Sequence, residues 1–281
     1  MKRKHRKGGC LKIFLCGIAV GLLCWAIYSY FYLPSGKVAE QSVPSAIADH
    51  NAKEIPSGEQ IDTVTEYIPE LKGKLVRHSY YVLSYNSTHK QADWVYYSPH
   101  VKTDGEGVGR TDNFREDPMV APESAKPSDY TKSGYDRGHL CPAGDMTQCA
   151  EAMSETFYMS NMSPQVPGFN RGIWKTLEEQ VREWGKKGMI YVVTGPVFKE
   201  IKGEIGQNKV TVPGYYYKVI YSPSRQQMIG FILPNEKSNK RPIDFVVSVD
   251  SVEHFTGIDF FPQLPDSLEN RLESRSDYQR W

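Results

Sequence analysis

The chain has 281 residues, 40% of them hydrophobic and 12% aromatic, which is enough for one large globular domain with attachments. Its 34 basic and 33 acidic residues leave a formal charge of +1. That balance excludes a protein that holds nucleic acid by bulk positive charge, so any such contact must come from a local site.

Residues 1–12 form a basic segment carrying Lys2, Arg3, Lys4, Arg6, Lys7 and Lys12. The uncharged run 13–33 follows. As a helix it would rise roughly 1.5 Å per residue to about 30 Å, the thickness of a bilayer core. The expectation is one transmembrane helix with a cytoplasmic N-terminus and the rest of the chain on the far, periplasmic or extracytoplasmic side. Tyr28, Tyr30 and Tyr32 then stand at the interface. A cleaved signal peptide is the rival, but the run is long for one and no clean small-x-small site follows it.

Residues 34–70 are rich in Pro, Ser, Ala and acids, without sustained apolar period, and read as a flexible stalk. The anchor holds 6 of the 34 basic residues and no acid, leaving 28 basic against 33 acidic beyond it. The stalk contributes Lys37 and Lys53 against seven acids, so the domain after residue 70 carries 26 of each sign.

That domain is expected over 71–265, followed by a polar tail, 266–281. β-Branched and aromatic runs predict strands over 75–85 and 92–98, an antiparallel pair. The polar stretch 100–134, with Arg110 and Arg115, reads as a long surface loop, and loops of that length are often functional. A short apolar piece, 157–160, ends at Asn161. Residues 170–184 have helical spacing with Gly185 placed to stop them. Further strands are expected over 190–194, 215–221, 227–233 and 245–249. Strands and helices that do not alternate strictly argue for an α+β domain built on a mixed antiparallel sheet.

Asp136, Arg137, Gly138 and His139 bring an acid, a base and an imidazole together. A neutral His139 can take a proton from water near pH 7, although a loop histidine with no task explains the string equally well. Downstream, Asn170, Trp174 and Glu178 at i, i+4 and i+8 would share a helix face. Their amide oxygen and carboxylate make a sparse ligand set of the kind Mg²⁺ accepts. The alternative takes Trp174, Leu177 and Val181 as a core stripe, with Asn170 capping the helix and Glu178 solvated.

The segments YDRGHLCPAGDM, FYMSNMSPQVPGFNRGIWKTLEEQVR and VVTGPVF, in that order, closely resemble the DNA/RNA non-specific endonucleases of the ββα-metal (His-Me finger) type, including endonuclease G. The resemblance spans about 75–249 and implies a ββα-metal catalytic motif. It implies a metal-dependent hydrolase that cleaves DNA and RNA and leaves 5′ phosphates. By that resemblance His139 is the general base, Asn170 the direct ligand of one Mg²⁺ (or of Mn²⁺ or another divalent cation in its place), and Glu178 the holder of a metal-bound water. Asn161 matches a supporting asparagine that orients the loop, and Arg137 belongs to the motif that faces the phosphate. An upstream arginine should neutralise phosphorane charge, with Arg110 favoured over Arg115. Cys141 departs from the family pattern, and a Cys141–Cys149 bridge is weighed equally against two separate thiols.

Two other readings compete. One is a catalytically inactive, membrane-anchored nucleic-acid-binding module of the same fold, which the balanced charge disfavours. The other is a zinc site on His139, Cys141 and Cys149, which lacks a fourth ligand. Whether the chain works as a homodimer is left open.

Overall fold

The apolar runs pair into a seven-stranded sheet in the computed structural model, which describes residues 67–99 and 107–281. The strands are β1 (Lys74–Arg77), β2 (Tyr81–Asn86), β3 (Gln91–Tyr97), β6 (Tyr191–Val197), β9 (Tyr215–Ser222), β10 (Gln227–Pro234) and β11 (Val246–Val247), in that spatial order. Every neighbouring pair is antiparallel. The expected strand over 75–85 is two strands, because the chain turns at His78–Tyr80 and folds β1 back on β2. The strand expected over 245–249 shortens to two residues, since Ser248 caps a helix, α3 (Val249–Thr256).

Side chains alternate faces along a strand, and here both faces are covered. Val95, Tyr97, Tyr216 and Ile220 point into one core; Trp94, Tyr96, Tyr217 and Val219 point into the other. The second face is closed by α3 and by α4 (Asp266–Glu273), through Val249, Val252 and Leu272. The expected polar tail is therefore part of the domain. Leu272 is buried, and Trp281 packs 5.1 Å from Trp184 on the first face. At the other end the stalk stops short of residue 70. Tyr67 packs against Tyr191 with ring centroids 5.3 Å apart, and the Glu70 carbonyl accepts from Trp94 Nε1 at 2.9 Å.

The first face carries the elements that build the site. Strands β4 (Asp136–His139) and β5 (Met162–Gln165) form a separate two-stranded ribbon, with the short helix α1 (Ala150–Glu155) between them in the chain. A π-helical turn, Phe169–Trp174, leads into α2 (Lys175–Lys186). Trp174, Leu177, Val181 and Trp184 bury the inner stripe of this helix in the core; truncating one such leucine typically costs about 2–5 kcal/mol. Gly185 does not stop the helix, which runs through it to Lys186. A small ribbon, β7 (Gly203–Ile205) with β8 (Val210–Val212), completes the domain.

Among the described residues no helix is long and apolar enough to cross a membrane. The expected basic segment, the span 13–33 and most of the stalk lie outside the described residues.

Candidate active site

Four polar residues, Asp136 to His139, form a strand because their partner dictates it. Gly138 sits opposite Ser163, and a Cβ there would lie 2.2 Å from the Gln165 side chain, which packs across this position and needs the room that glycine leaves. Beyond the ribbon, Asn161 holds the turn. Its Oδ1 accepts from Cys141 N at 2.8 Å, while its Nδ2 donates to the carbonyls of Cys141 and Thr156, both at 2.9 Å. Asn161 is wholly buried and does not line the cleft; it orients the chain that leaves His139. Removing it would leave several buried backbone groups unpaired, at about 1–3 kcal/mol each.

His139 is 9% exposed and boxed by aromatic rings, Phe157 edge-on at 5.0 Å and Phe114 at 5.8 Å. Its Nε2 has no hydrogen-bond partner. Burial, with the Arg110 guanidinium adding to it, pushes its pKa down from 6.5 to about 3. The imidazole is therefore neutral across the physiological range.

The helix opposite does not present a continuous face. Gly172 leaves helical dihedrals (φ −108°, ψ −113°), and this kink resets the phase between Asn170 and the rest. Trp174 turns inward and is buried, so the expected shared face of Asn170, Trp174 and Glu178 does not form as a helical row. Asn170 and Glu178 nevertheless line one cleft. Nor does Asn170 cap the helix. Its Nδ2 donates to Asp136 Oδ2 at 3.0 Å, which leaves its amide oxygen as the available donor atom for a cation. Asp136 also accepts from Arg171 Nε at 2.8 Å. Burial raises the Asp136 pKa, but the hydrogen bonds from Arg171 and Asn170 outweigh it and the net shift is downward.

Glu178 is half-buried rather than solvated. Burial pushes its pKa up to about 7, opposed by Lys218 and Arg182 and reinforced by Asp145. Beneath it lies a buried ionic layer that sequence reasoning missed. Arg182 Nε donates to buried Asp145 Oδ1 at 2.7 Å. Lys218, wholly buried on β9, donates to Tyr97 Oη at 3.3 Å and to Thr194 Oγ1, with its Nζ 4.9 Å from the Trp174 ring.

The cleft encloses about 490 Å³. Arg110, Arg137, Arg171, Lys175 and Arg182 line it against Glu178 and Glu179. A domain of balanced charge thus concentrates cations at one concavity, which favours an anionic ligand. Arg137 donates through Nη2 to Pro127 O at 3.1 Å and stands 4.9 Å from the Phe114 ring. Of the two upstream arginines, Arg110 lines the cleft, 4.8 Å from the Phe157 ring. Arg115 instead stacks on Tyr158 at 3.8 Å and donates to the Asn113 and Ser154 carbonyls.

An amide oxygen, a half-buried carboxylate and an unpartnered buried imidazole nitrogen facing one cleft fit a hard divalent cation with few protein ligands. Zinc does not fit. Cys141 is buried in the core, Cys149 contacts Tyr80 Oη at 3.2 Å, and the two thiols do not converge with His139 among the described residues. Both are free, so the bridge is not formed.

Residues 63–267 match the profile of the DNA/RNA non-specific endonuclease family. Nuclease C1 of Cunninghamella echinulata var. echinulata is 42% identical over 207 residues, which are 66% of this chain and 81% of that protein. The nuclease of Serratia marcescens is 34% identical over 217 residues, 72% and 79% of the two chains. Human (Homo sapiens) mitochondrial endonuclease G is 34% identical over 202 residues, 66% and 68%. A crystal structure of the EndoG/EndoGI complex matches with a TM-score of 0.64 at 35% identity, over 69% of this chain and 87% of that one.

Proposed function

The chain belongs to the DNA/RNA non-specific endonuclease family, and we propose that its cleft hydrolyses phosphodiester bonds with His139 as general base and one Mg²⁺ held at Asn170. The observation that carries this reading is the convergence of a neutral, unpartnered imidazole nitrogen with Asn170 and Glu178 on a cation-rich cleft.

Hydrolysis needs a nucleophile, neutralised non-bridging oxygens and a stabilised leaving group. His139 Nε2 has no competing partner and can accept a proton from an attacking water. An entering phosphate raises the low His139 pKa by its negative charge and so strengthens the base. Asn170 would hold Mg²⁺ directly, and Glu178 would do so through a water, with Mn²⁺ or another divalent cation as substitute. Bound there, the cation would supply positive charge against the charge that develops on the phosphate. Asp136 keeps Asn170 in place, and Arg171 in turn fixes Asp136. Arg110 and Arg137 neutralise the remaining phosphate charge.

None of these groups reads a base edge or requires a particular sugar, which fits cleavage of DNA and RNA alike. An inactive binding module has no use for a buried imidazole nitrogen left without a hydrogen-bond partner at the cleft. The test is cleavage of plasmid DNA and single-stranded RNA by the full chain and two variants. Products should carry 5′ phosphates, and Arg110→Ala should slow both substrates by about 10²–10³-fold, the scale of one lost electrostatic donor. Arg115→Ala should stay within a few-fold. Products with 3′ phosphates, or the reverse order of the two variants, contradict the assignment.

Six basic residues ahead of the uncharged run 13–33 support a single-pass anchor with a cytoplasmic N-terminus and the catalytic domain on the far side. Protease added to intact spheroplasts should then digest the catalytic domain. A fully protected domain would place it in the cytoplasm.

A further inference from the structure

Outside the cleft, on the opposite face of the sheet, α3 and α4 bring acidic side chains together. Asp250 and Glu253 stand one turn apart on α3, and Glu273 is the last residue of α4. One carboxylate oxygen from each lies within 4.8 Å of the others. Glu273 is only 5% exposed, yet its Oε1 has no hydrogen-bond partner. Glu269, one turn earlier on α4, also leaves Oε1 unpaired.

The charges acting on Glu273 are those of Glu253, Glu269, Asp250 and Asp259, all acidic. Glu253 is fixed in place by the Phe260 N–H, which donates to its Oε1 at 2.8 Å. A carboxylate so deeply buried, without a donor and among like charges, is unfavourable unless a proton or a cation neutralises it.

We propose that Asp250, Glu253 and Glu273 form a Ca²⁺ site that ties α3 to α4. The donors are all carboxylate oxygens, with no imidazole or thiolate, which selects a hard cation. The three oxygens lie within 4.8 Å of one another, close enough to share one ion. Mg²⁺ keeps several waters and takes one or two carboxylates, whereas Ca²⁺ accepts many oxygens in a flexible shell, so three carboxylates favour Ca²⁺. Asp250 is exposed, which leaves the outer side of the sphere open to the waters that complete six to eight ligands. The site is structural: it lies on the α3–α4 side of the sheet, whereas His139 and Asn170 belong to the other side.

The test is thermal unfolding of the purified full chain with Ca²⁺, with Mg²⁺ and with EDTA. At ten times its dissociation constant Ca²⁺ should raise Tm by about 4 °C. The rise should persist in Asn170→Ala, which disables the cleft ligand, and vanish in both Glu273→Gln and Asp250→Asn. Asp250 is exposed, so its substitution does not endanger folding. Glu273→Gln should retain nuclease activity and be at least as stable as the parent in EDTA, because it removes a buried repulsion. No Ca²⁺ response up to 10-fold above about 1 mM, the weak end of extracellular calcium modules, overturns the site. So does an undiminished response in the two carboxylate variants, and an equal response to Mg²⁺ in Asn170→Ala, where the cleft ligand is gone, overturns the choice of ion.

Discussion

Replacing His139 with alanine should slow cleavage of DNA and RNA together by about 10²–10⁴-fold, the share that a positioned general base contributes. The two substrates should fall equally, because the imidazole acts on water and not on the sugar. Folding should survive. The ring makes no hydrogen bond through Nε2, and its loss removes packing against Phe114 and Phe157 rather than a polar network. The cost of such a truncation is about 1–3 kcal/mol near pH 7, and it should shrink below pH 6.5, where the unfolded chain protonates a ring that the folded chain keeps neutral. The check is a rate measurement beside a thermal melt: a folded variant with near-parental rates would remove His139 from the mechanism.

Asn170→Ala should have the second largest effect, and of a different kind. The side chain offers its oxygen to the cleft only because its nitrogen is committed to Asp136. Alanine deletes the direct ligand, so the rate at saturating Mg²⁺ should drop by about 10²-fold or more, the order seen when an electrostatic contact at the reacting group is lost. The Mg²⁺ concentration for half-maximal rate should also rise by at least tenfold. His139→Ala, in contrast, should leave that concentration unchanged. A titration of rate against Mg²⁺ separates the two roles, and an unshifted midpoint in Asn170→Ala would mean that the metal sits elsewhere.

Much of the sheet was legible from composition. The long strands are rich in tyrosine, valine and isoleucine, and each is recognisable without its neighbours. The ribbon that carries His139 was not legible. Asp136–His139 is polar, and Met162–Gln165 contains Pro164; neither has strand propensity of its own. They become strands because Asn161 and the tight Gly138–Gln165 approach fix them from outside. The same limit affected the helix. Periodicity rightly gave Trp174, Leu177 and Val181 as a core stripe, but it also placed Asn170 and Glu178 on the face of Trp174, and the kink at Gly172 breaks that row and lets Asn170 meet Asp136 from a separate element.

The candidate residues named from the sequence, His139, Arg137, Arg110, Asn170 and Glu178, all line the cleft, while Asn161 supports it from behind. What escaped was the layer beneath. Asp145, Arg182 and Lys218 are far apart in sequence, and a lysine in Tyr215–Ser222 looks like an ordinary outward-facing strand position until the face it shares with Tyr216 and Ile220 is seen to be covered by α2 and Trp174. The tail misled for a related reason, since Leu272 and Trp281 are single apolar anchors in a polar stretch.

The central claim is metal-dependent, base-catalysed cleavage at one cleft. Its most direct test is digestion of plasmid DNA and single-stranded RNA by the full chain in Mg²⁺ and in EDTA, beside His139→Ala. Loss of both substrates in Mg²⁺, abolished by EDTA and by the substitution, is the predicted result; cleavage that persists in EDTA, or in a folded His139→Ala protein, would contradict it.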